Sequence, residues 1–233
     1  KRDASGKFVP PRPEWTDVIQ LDHSQPGVLQ YFIDMTTHYM QADGIDGWRC
    51  DYSSGPPIAF WQGWRDALKK ANPDVFLLSE NDEGLAPDIW TAFDATYDQT
   101  TYRDITAAFL SHRPHRLIVS PLADQRDHGD ARLRTRFFEN HDQPRIAQPF
   151  SKAPPEALRA ASTYLLTTNG IPFIENGQEV AITHTMSLFE PDPIAWDTGD
   201  PALREHFKKI LAIRNGSPAL RHGDIAEGNS SVS

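Results

Sequence analysis

Hydrophobic and polar positions follow two different patterns along the chain, one typical of helices and one typical of buried strands. Over residues 26–42, apolar side chains recur every three or four positions, which predicts an amphipathic helix with proline at its start. A second helical pattern places Trp61 and Trp64 on one apolar face, where we expect them to be core residues. That helix should end at Asn72, because a residue before proline, here Pro73, resists the helical conformation.

Short strands are predicted between the helical segments. The segment 75–79 is a continuous apolar run, which is typical of a parallel strand buried on both faces. Strands are predicted within 44–51, 75–79, 92–96, 135–142 and 171–174, and each is followed by a helical pattern. This alternation predicts an α/β fold with a parallel sheet, either doubly wound or part of a barrel.

Composition narrows the function classes. The chain has 233 residues, of which 39% are hydrophobic and 24% charged, as expected for a globular domain. Its net charge of −9 argues against nucleic-acid binding, which requires a basic face, and is compatible with a neutral ligand such as a sugar. No apolar run approaches the roughly 18–20 residues of a membrane span, so no membrane partner is expected.

Three of the predicted strands lead into carboxylates, namely Asp51, Glu80 and Asp142. Because the C-terminal ends of barrel strands face one pocket, we expect these side chains to converge. Converging acids repel one another unless chemistry requires them or a cation such as Arg49 offsets their charge. Glycoside hydrolysis requires such a set, with one carboxylate attacking the anomeric carbon and another donating a proton to the leaving oxygen.

Four segments match one family in order. G-W-R-C-D at 47–51, L-L-S-E at 77–80, F-F-E-N-H-D at 137–142 and G-I-P-F-I-E-N-G-Q-E at 170–179 resemble the motifs of the alpha-amylase family, glycoside hydrolase family 13. The resemblance extends over roughly residues 14–222. It implies a partial TIM (β/α)8 barrel, made of strands four to eight with their helices, which is the C-terminal half of the family's catalytic barrel.

The resemblance implies three catalytic residues. Asp51 would be the nucleophile that forms a covalent glycosyl-enzyme intermediate. Glu80 would act as general acid and then as general base. Asp142 would hold sugar hydroxyls and favour the oxocarbenium-like transition state. The expected enzyme is a retaining glycoside hydrolase that acts on alpha-glucosidic linkages of starch-like glucans or maltooligosaccharides, so its partner is an oligo- or polysaccharide.

Substrate-binding residues follow from the same resemblance. It assigns sugar contacts to Arg49, His141 and Asn140, and Arg49 would also keep Asp51 ionised and oriented.

The chemistry requires no cofactor, and no metal ligand is predicted. Many alpha-amylases carry Lys-His where this chain has Ser54 and Gly55, and that departure weakens the expectation of structural calcium. The D-H-G-D stretch at 127–130 is expected to be a solvated turn, because nothing supplies the rest of a coordination shell.

The predicted organisation has three parts. Residues 1–25 are irregular and resemble the remnant of a loop insertion after strand three, residues 26–222 form the partial barrel, and residues 223–233 are a tail or the start of a C-terminal β domain. We expect a fragment whose exposed sheet edges are covered by self-association or by a missing N-terminal half. The resemblance favours a location outside the cytoplasm.

Two other interpretations remain open at this stage. A non-catalytic glycan-binding or scaffold protein of the same fold would bind maltooligosaccharides without turnover. A doubly wound α/β protein of unrelated function would not place Asp51, Glu80 and Asp142 together. Carboxyl groups more than about 10 Å apart would exclude the enzyme, because retaining chemistry requires much closer groups.

Overall fold

A computed structural model describes residues 1–81, 87–110 and 133–224. The chain divides into two compact units, Lys1–Tyr97 and Asp98–Ser233. The predicted turn at 127–130 and residues 225–233 of the predicted tail lie outside the described residues. Among the described helices, none combines the length and the apolar character required to cross a membrane.

The described residues of the first unit include three parallel strands. In the N-terminal segment before residue 26, the only β-type pairing among described residues is an isolated antiparallel bridge between Arg2 and Phe8. The elements of this unit in order are α1 (Pro26–Ala42), β1 (Gly47–Cys50), α2 (Ile58–Ala71), β2 (Phe76–Ser79), a 3-10 helix (Pro87–Thr91) and β3 (Ala95–Tyr97). Strand β2 lies between the other two, with Cys50 opposite Ser79 in one ladder and Ser79 opposite Thr96 in the other. The carboxyl ends of β1 and β2 therefore lie side by side at the same edge of the sheet.

Aromatic packing holds the helices of the first unit on its strands. Helix α1 has the predicted bounds, and α2 ends at Ala71 just before the predicted stop. The predicted core role of Trp61 and Trp64 is confirmed, since both are buried in one cluster with Phe60 and Phe93. The Trp64 indole also donates a hydrogen bond to Thr36 of α1 (3.1 Å), which satisfies two buried polar groups at once.

The described residues of the second unit form two parallel strands and several helices. Its elements are α3 (Gln99–Leu110), β4 (Leu133–Arg136), α4 (Ala147–Phe150), α5 (Pro155–Thr167), β5 (Ile171–Pro172), two 3-10 helices (Gln178–Val180 and Trp196–Thr198), α6 (Pro201–Gly216) and α7 (Pro218–His222). Strands β4 and β5 pair with Thr135 opposite Ile171. Helix α6 starts at proline, and the Asp200 side chain accepts hydrogen bonds from the first free amides of that helix.

A buried arginine closes the connection between α5 and β5. Arg214 of α6 donates to the carbonyl oxygens of Leu166, Thr168 and Gly170 at 2.5–3.2 Å, which satisfies the end of α5. Gly170 has a φ of +101°, and a Cβ there would lie 2.7 Å from the carbonyl oxygen of Arg134. Only glycine therefore permits this approach to β4.

The α/β class with parallel strands is confirmed, but the strands are shorter than predicted. Strand β3 begins at Ala95 because the preceding residues close the 3-10 helix, with the Phe93 amide donating to Ile89. Strand β4 ends at Arg136, although Phe137 and Phe138 directly after it are also buried. Asp142 therefore lies in a turn after β4 and not at the strand end, whereas Asp51 and Glu80 follow their strands directly.

Candidate active site

An arginine joins the two predicted carboxylates of the first unit. Arg49 donates from Nη1 to Asp51 Oδ1 and from Nη2 to Glu80 Oε1, both at 2.5 Å. Because Nη1 and Nη2 belong to one guanidinium group, the two carboxylates lie on either side of the same cation and close to each other. Asp51 remains 72% exposed and Glu80 19%, so Asp51 is open to a ligand while Glu80 is more enclosed.

The charge of Arg49 is secured by its surroundings. Burial alone would lower the pKa of Arg49, but hydrogen bonding to Tyr97 and Asp51 and attraction to Glu80 together raise that pKa above its ordinary value. The guanidinium group also lies over the Tyr97 ring, with its carbon 5.6 Å from the ring centroid. Arg49 therefore stays cationic and offsets the repulsion between the two acids.

A second layer of polar groups fixes the loops that carry these acids. The Tyr52 amide donates to Glu80 Oε2 at 2.7 Å. The buried hydroxyls of Ser53 and Ser79 lie 2.6 Å apart, and Asn81 Oδ1 accepts from the Ser54 amide at 2.7 Å. These bonds tie the turn after β1 to the end of β2, so both carboxylates approach a ligand from a pre-organised frame.

A core tryptophan also supports this frame. The Trp61 indole donates to the Ser53 carbonyl oxygen at 2.8 Å, which links helix α2 to the turn after Asp51. The sequence indicated only its core role. The bond between Trp61 and Ser53 could not be predicted from sequence, because the conformation of the loop between them depends on tertiary structure.

The second unit carries the remaining predicted site residues on one turn. Asn140 is buried, and its side-chain oxygen accepts from the Asp142 amide at 2.9 Å. His141 and Asp142 are exposed, with Nε2 of the histidine 3.4 Å from a carboxylate oxygen of the aspartate. Asn140 therefore shapes the turn that presents the other two, and its contact with sugar stays a prediction.

A buried ion pair, whose Glu139 partner the sequence did not indicate, anchors this turn. Arg145 donates to Glu139 at 2.7 Å, and the side chains are only 5% and 1% exposed. Arg145 also donates to the carbonyl oxygens of Asn176 (2.7 Å) and His184 (3.2 Å), which binds the turn to the loop after β5. Burial raises the pKa of Glu139, while the Ile146 amide and Arg145 oppose that rise.

A second buried ion pair involves Arg136, the last residue of β4. Arg136 donates to Asp98, and its Nε donates to the Asn169 carbonyl oxygen at 2.9 Å. A sequence signal existed for it, because an arginine inside the predicted buried strand 135–142 requires a partner for its charge. The identity of that partner could not be predicted, since Asp98 is 38 residues away in the chain.

Cys50 lies between two site residues but faces away from them. Its side chain is buried in the aromatic core of the first unit, and burial raises the pKa of the thiol to about 12. The side chain therefore belongs to the core, and the thiol is not available for chemistry at neutral pH.

The prediction that residues 127–130 form a solvated turn rather than a metal-binding loop stays a prediction, because this stretch lies outside the described residues.

Comparison with known proteins identifies the family. The family model for the alpha amylase catalytic domain matches residues 14–215. "Alpha-amylase 2" of Dictyoglomus thermophilum is 28% identical over 210 residues, covering 84% of this chain and 37% of that protein. A noncanonic maltogenic alpha-amylase from Thermotoga neapolitana superposes with a TM-score of 0.82 at 26% identity, covering 94% of this chain and 50% of that chain.

A third comparison involves a relative with a bound ligand. The alpha-amylase of Geobacillus thermoleovorans, solved in complex with acarbose, superposes with a TM-score of 0.71 at 24% identity, covering 87% of this chain and 47% of that chain. This chain spans about half the length of these solved relatives and 37% of the Dictyoglomus protein. The chain belongs to the alpha-amylase family of glycoside hydrolases and corresponds to part of that family's catalytic domain.

Proposed function

We propose that this chain is part of a retaining glycoside hydrolase acting on alpha-glucosidic linkages of starch-like glucans or maltooligosaccharides. The observation that carries the proposal is the Arg49 bridge, which holds Asp51 and Glu80 side by side at the ends of neighbouring strands. A nucleophile and a proton donor placed close together are the two groups that retention of configuration requires.

In the first half-reaction, Asp51 attacks the anomeric carbon. The glycosidic bond breaks, Glu80 gives its proton to the departing oxygen, and a glycosyl ester on Asp51 results. Arg49 supports this step because its charge-assisted hydrogen bond to Oδ1 of Asp51 orients the attacking carboxylate. The high exposure of Asp51 leaves its second oxygen open to a sugar.

In the second half-reaction, Glu80 takes a proton from water, and the water oxygen displaces Asp51 from the anomeric carbon. Both oxygens of Glu80 accept hydrogen bonds, from Arg49 and from the Tyr52 amide. That pattern suits the ionised base of this second step. To act as an acid, Glu80 must exchange one of these bonds for a bond that it donates to the substrate.

We assign contacts with sugar hydroxyls to two residues of the second unit. Asp142 and His141 stand exposed on a turn whose backbone is fixed by Asn140 and by the buried Arg145. A carboxylate and an imidazole are suitable partners for sugar hydroxyls, since the former accepts and the latter both donates and accepts hydrogen bonds. The acarbose complex of the Geobacillus relative supports an oligosaccharide as the ligand class.

The test is release of reducing sugar from soluble starch and maltooligosaccharides by this chain, compared with Glu80→Gln. Glu205→Gln is the matched control, because Glu205 is an exposed acid whose ion pair is with Lys208 on the same helix. The proposal predicts release by the parent and the control but not by Glu80→Gln. Saturable binding of maltooligosaccharide without release by any of the three would instead support a non-catalytic glycan-binding protein.

A further inference from the structure

Tyr52, directly after Asp51, has a strained backbone. Its φ is +45°, and among the described non-glycine residues only Ala181 shares a positive φ. Such a conformation is unfavourable for a residue that carries a side chain, and it persists only where the surroundings enforce it. Here the enforcing contact is the hydrogen bond from the Tyr52 amide to Glu80 Oε2. The strain therefore serves to place Tyr52 beside the proposed acid.

The Tyr52 ring is also held in one position. A Cβ added to Gly55 would lie 2.2 Å from the nearest ring carbon, so the ring lies against the bare backbone of that glycine. Any larger residue at position 55 would displace the ring. The combination of a strained backbone and a glycine that accommodates the ring indicates that the ring position is specified.

Two residues of the N-terminal segment complete a small cluster around that ring. The Trp15 ring meets the Tyr52 ring edge to face, with centroids 4.7 Å apart and planes at 74°. The guanidinium carbon of Arg12 lies 5.2 Å from the Trp15 centroid and 5.3 Å from the Tyr52 centroid. Arg12 is exposed and both rings are partly exposed, so the cluster is accessible from solvent.

This combination of groups matches the surface of a sugar. Aromatic rings offer apolar area with little entropy to lose, and a sugar ring presents C–H groups on its faces. The guanidinium group offers several donors to the hydroxyls at the rim of the sugar. A neutral sugar also leaves the net charge of the cluster unchanged, so its binding requires no counter-ion.

We propose that Arg12, Trp15 and Tyr52 bind one sugar ring of the oligosaccharide next to Glu80 and so help to determine which oligosaccharides are bound. The inference rests on the proposed function. None of the three residues belongs to the motif segments that identify the family, and Arg12 precedes the matched region.

Calorimetric titration with maltopentaose tests the proposal, in a Glu80→Gln background so that the ligand is not hydrolysed. Trp15→Ala should raise the dissociation constant about tenfold, the effect of removing a strong aromatic contact. Gly55→Ala should raise it by about threefold or more, because the Tyr52 ring is displaced while every proposed sugar-binding side chain is kept. Tyr31→Ala is the control, since Tyr31 is an exposed aromatic residue on the outer face of α1.

A direct readout separates contact from mere support of the fold. The indole N–H resonance of Trp15 should shift saturably on addition of maltopentaose to the Glu80→Gln chain, which does not hydrolyse the ligand. Unchanged affinity in Trp15→Ala and Gly55→Ala, or a Trp15 resonance that does not move while the chain binds, would overturn the subsite but leave the proposed function standing. Absence of any maltopentaose binding by the parent would overturn both.

Discussion

Each unit uses an arginine to hold acidic side chains, but in contrasting surroundings. In the first unit, Arg49 bridges Asp51 and Glu80 at an accessible strand end, with Asp51 72% exposed. In the second, Arg145 pairs with Glu139 in the interior, where the two side chains are 5% and 1% exposed. The same pair of residue types therefore forms a solvent-accessible arrangement in one unit and a buried, anchoring one in the other.

This difference indicates that the solvent exposure of an ion pair determines whether it contributes mainly to stability or stays accessible to a ligand. A buried pair whose partner is removed leaves an uncompensated charge, so its integrity matters mainly for stability. An exposed pair contributes little to stability because solvent screens it. Its carboxylates can nevertheless exchange the arginine for a substrate or a proton. Mutations in the two arrangements should therefore separate activity from stability.

The largest effect is expected from Glu80→Gln. Loss of the general acid and base should lower starch hydrolysis by about 10⁴-fold, the upper range for this kind of catalysis. The free energy of unfolding should change little, because a glutamine at 19% exposure keeps an acceptor for Arg49 or for the Tyr52 amide. Initial rates and urea unfolding of the same preparations provide both numbers. A variant that retains a tenth of the parent rate would remove Glu80 from the mechanism.

The next effect is on stability and compares the two arginines. Arg145→Ala should lower the free energy of unfolding by about 3–5 kcal/mol, because it leaves Glu139 buried and unpaired. Arg49→Ala should lower it by about 1 kcal/mol or less, since its partners are solvent-accessible. Urea denaturation of both variants measures the contrast. Equal losses, or a larger loss for Arg49→Ala, would contradict the assignment of anchoring to Arg145.

A smaller effect is expected at Asp94, a partly buried structural acid of the first unit. Burial alone would raise the pKa of Asp94, but hydrogen bonds from Lys69 and Arg65 and from the Leu77 amide hold that pKa below its usual value. Asp94→Asn should therefore lower the free energy of unfolding by about 1–2 kcal/mol at pH 7.

The same lowered pKa fixes the pH dependence of that loss. A folded-state pKa below the unfolded value of about 3.9 means that the charged form stabilises the fold above that pH. The difference between parent and variant should shrink as the pH falls below about 4 and the carboxyl is protonated. The exposed Asp88→Asn is the control, with no expected loss. A difference that persists unchanged at low pH would show that the charge of Asp94 is not what stabilises.

The smallest effect concerns the reactivity of Cys50, which precedes Asp51 in the chain but is buried in the core of the first unit. With a thiol pKa of about 12, roughly one thiol in 10⁴ is ionised at pH 8. Alkylation by iodoacetamide should be slower than in the urea-unfolded chain by at least about 100-fold. Intact-mass measurement over time gives both rates. Equal rates would place Cys50 on the accessible side of β1.

Local patterns predicted much of the first unit and less of the second. Helix α1 and the position of Asp51 and Glu80 after their strands follow from periodicity, because these segments are regular and adjacent in the chain. Strand β4 was predicted too late in the sequence, because Phe137 and Phe138 are buried as in a strand without forming one. Burial and strand pairing are separate properties, and hydrophobicity reports only the first.

The site shows the same limit. Residue type and motif spacing predicted the Arg49 partnership with Asp51, which lies two positions away. The contacts of Tyr52 with Trp15 and Glu80 link residues that are 37 and 28 positions apart. Such long-range contacts leave no mark in a local pattern, so only the folded chain shows them.

The most direct test of the central claim is covalent trapping on Asp51. In the Glu80→Gln chain, α-maltosyl fluoride should still glycosylate Asp51, because fluoride leaves without a proton, whereas hydrolysis of the ester is slow without a base. Peptide mass spectrometry should then find one maltosyl group on the peptide containing Asp51, and none after Asp51→Asn in the same background. A maltosyl group on another residue, or no adduct under conditions where the fluoride is consumed, would contradict the account of Asp51 as the nucleophile.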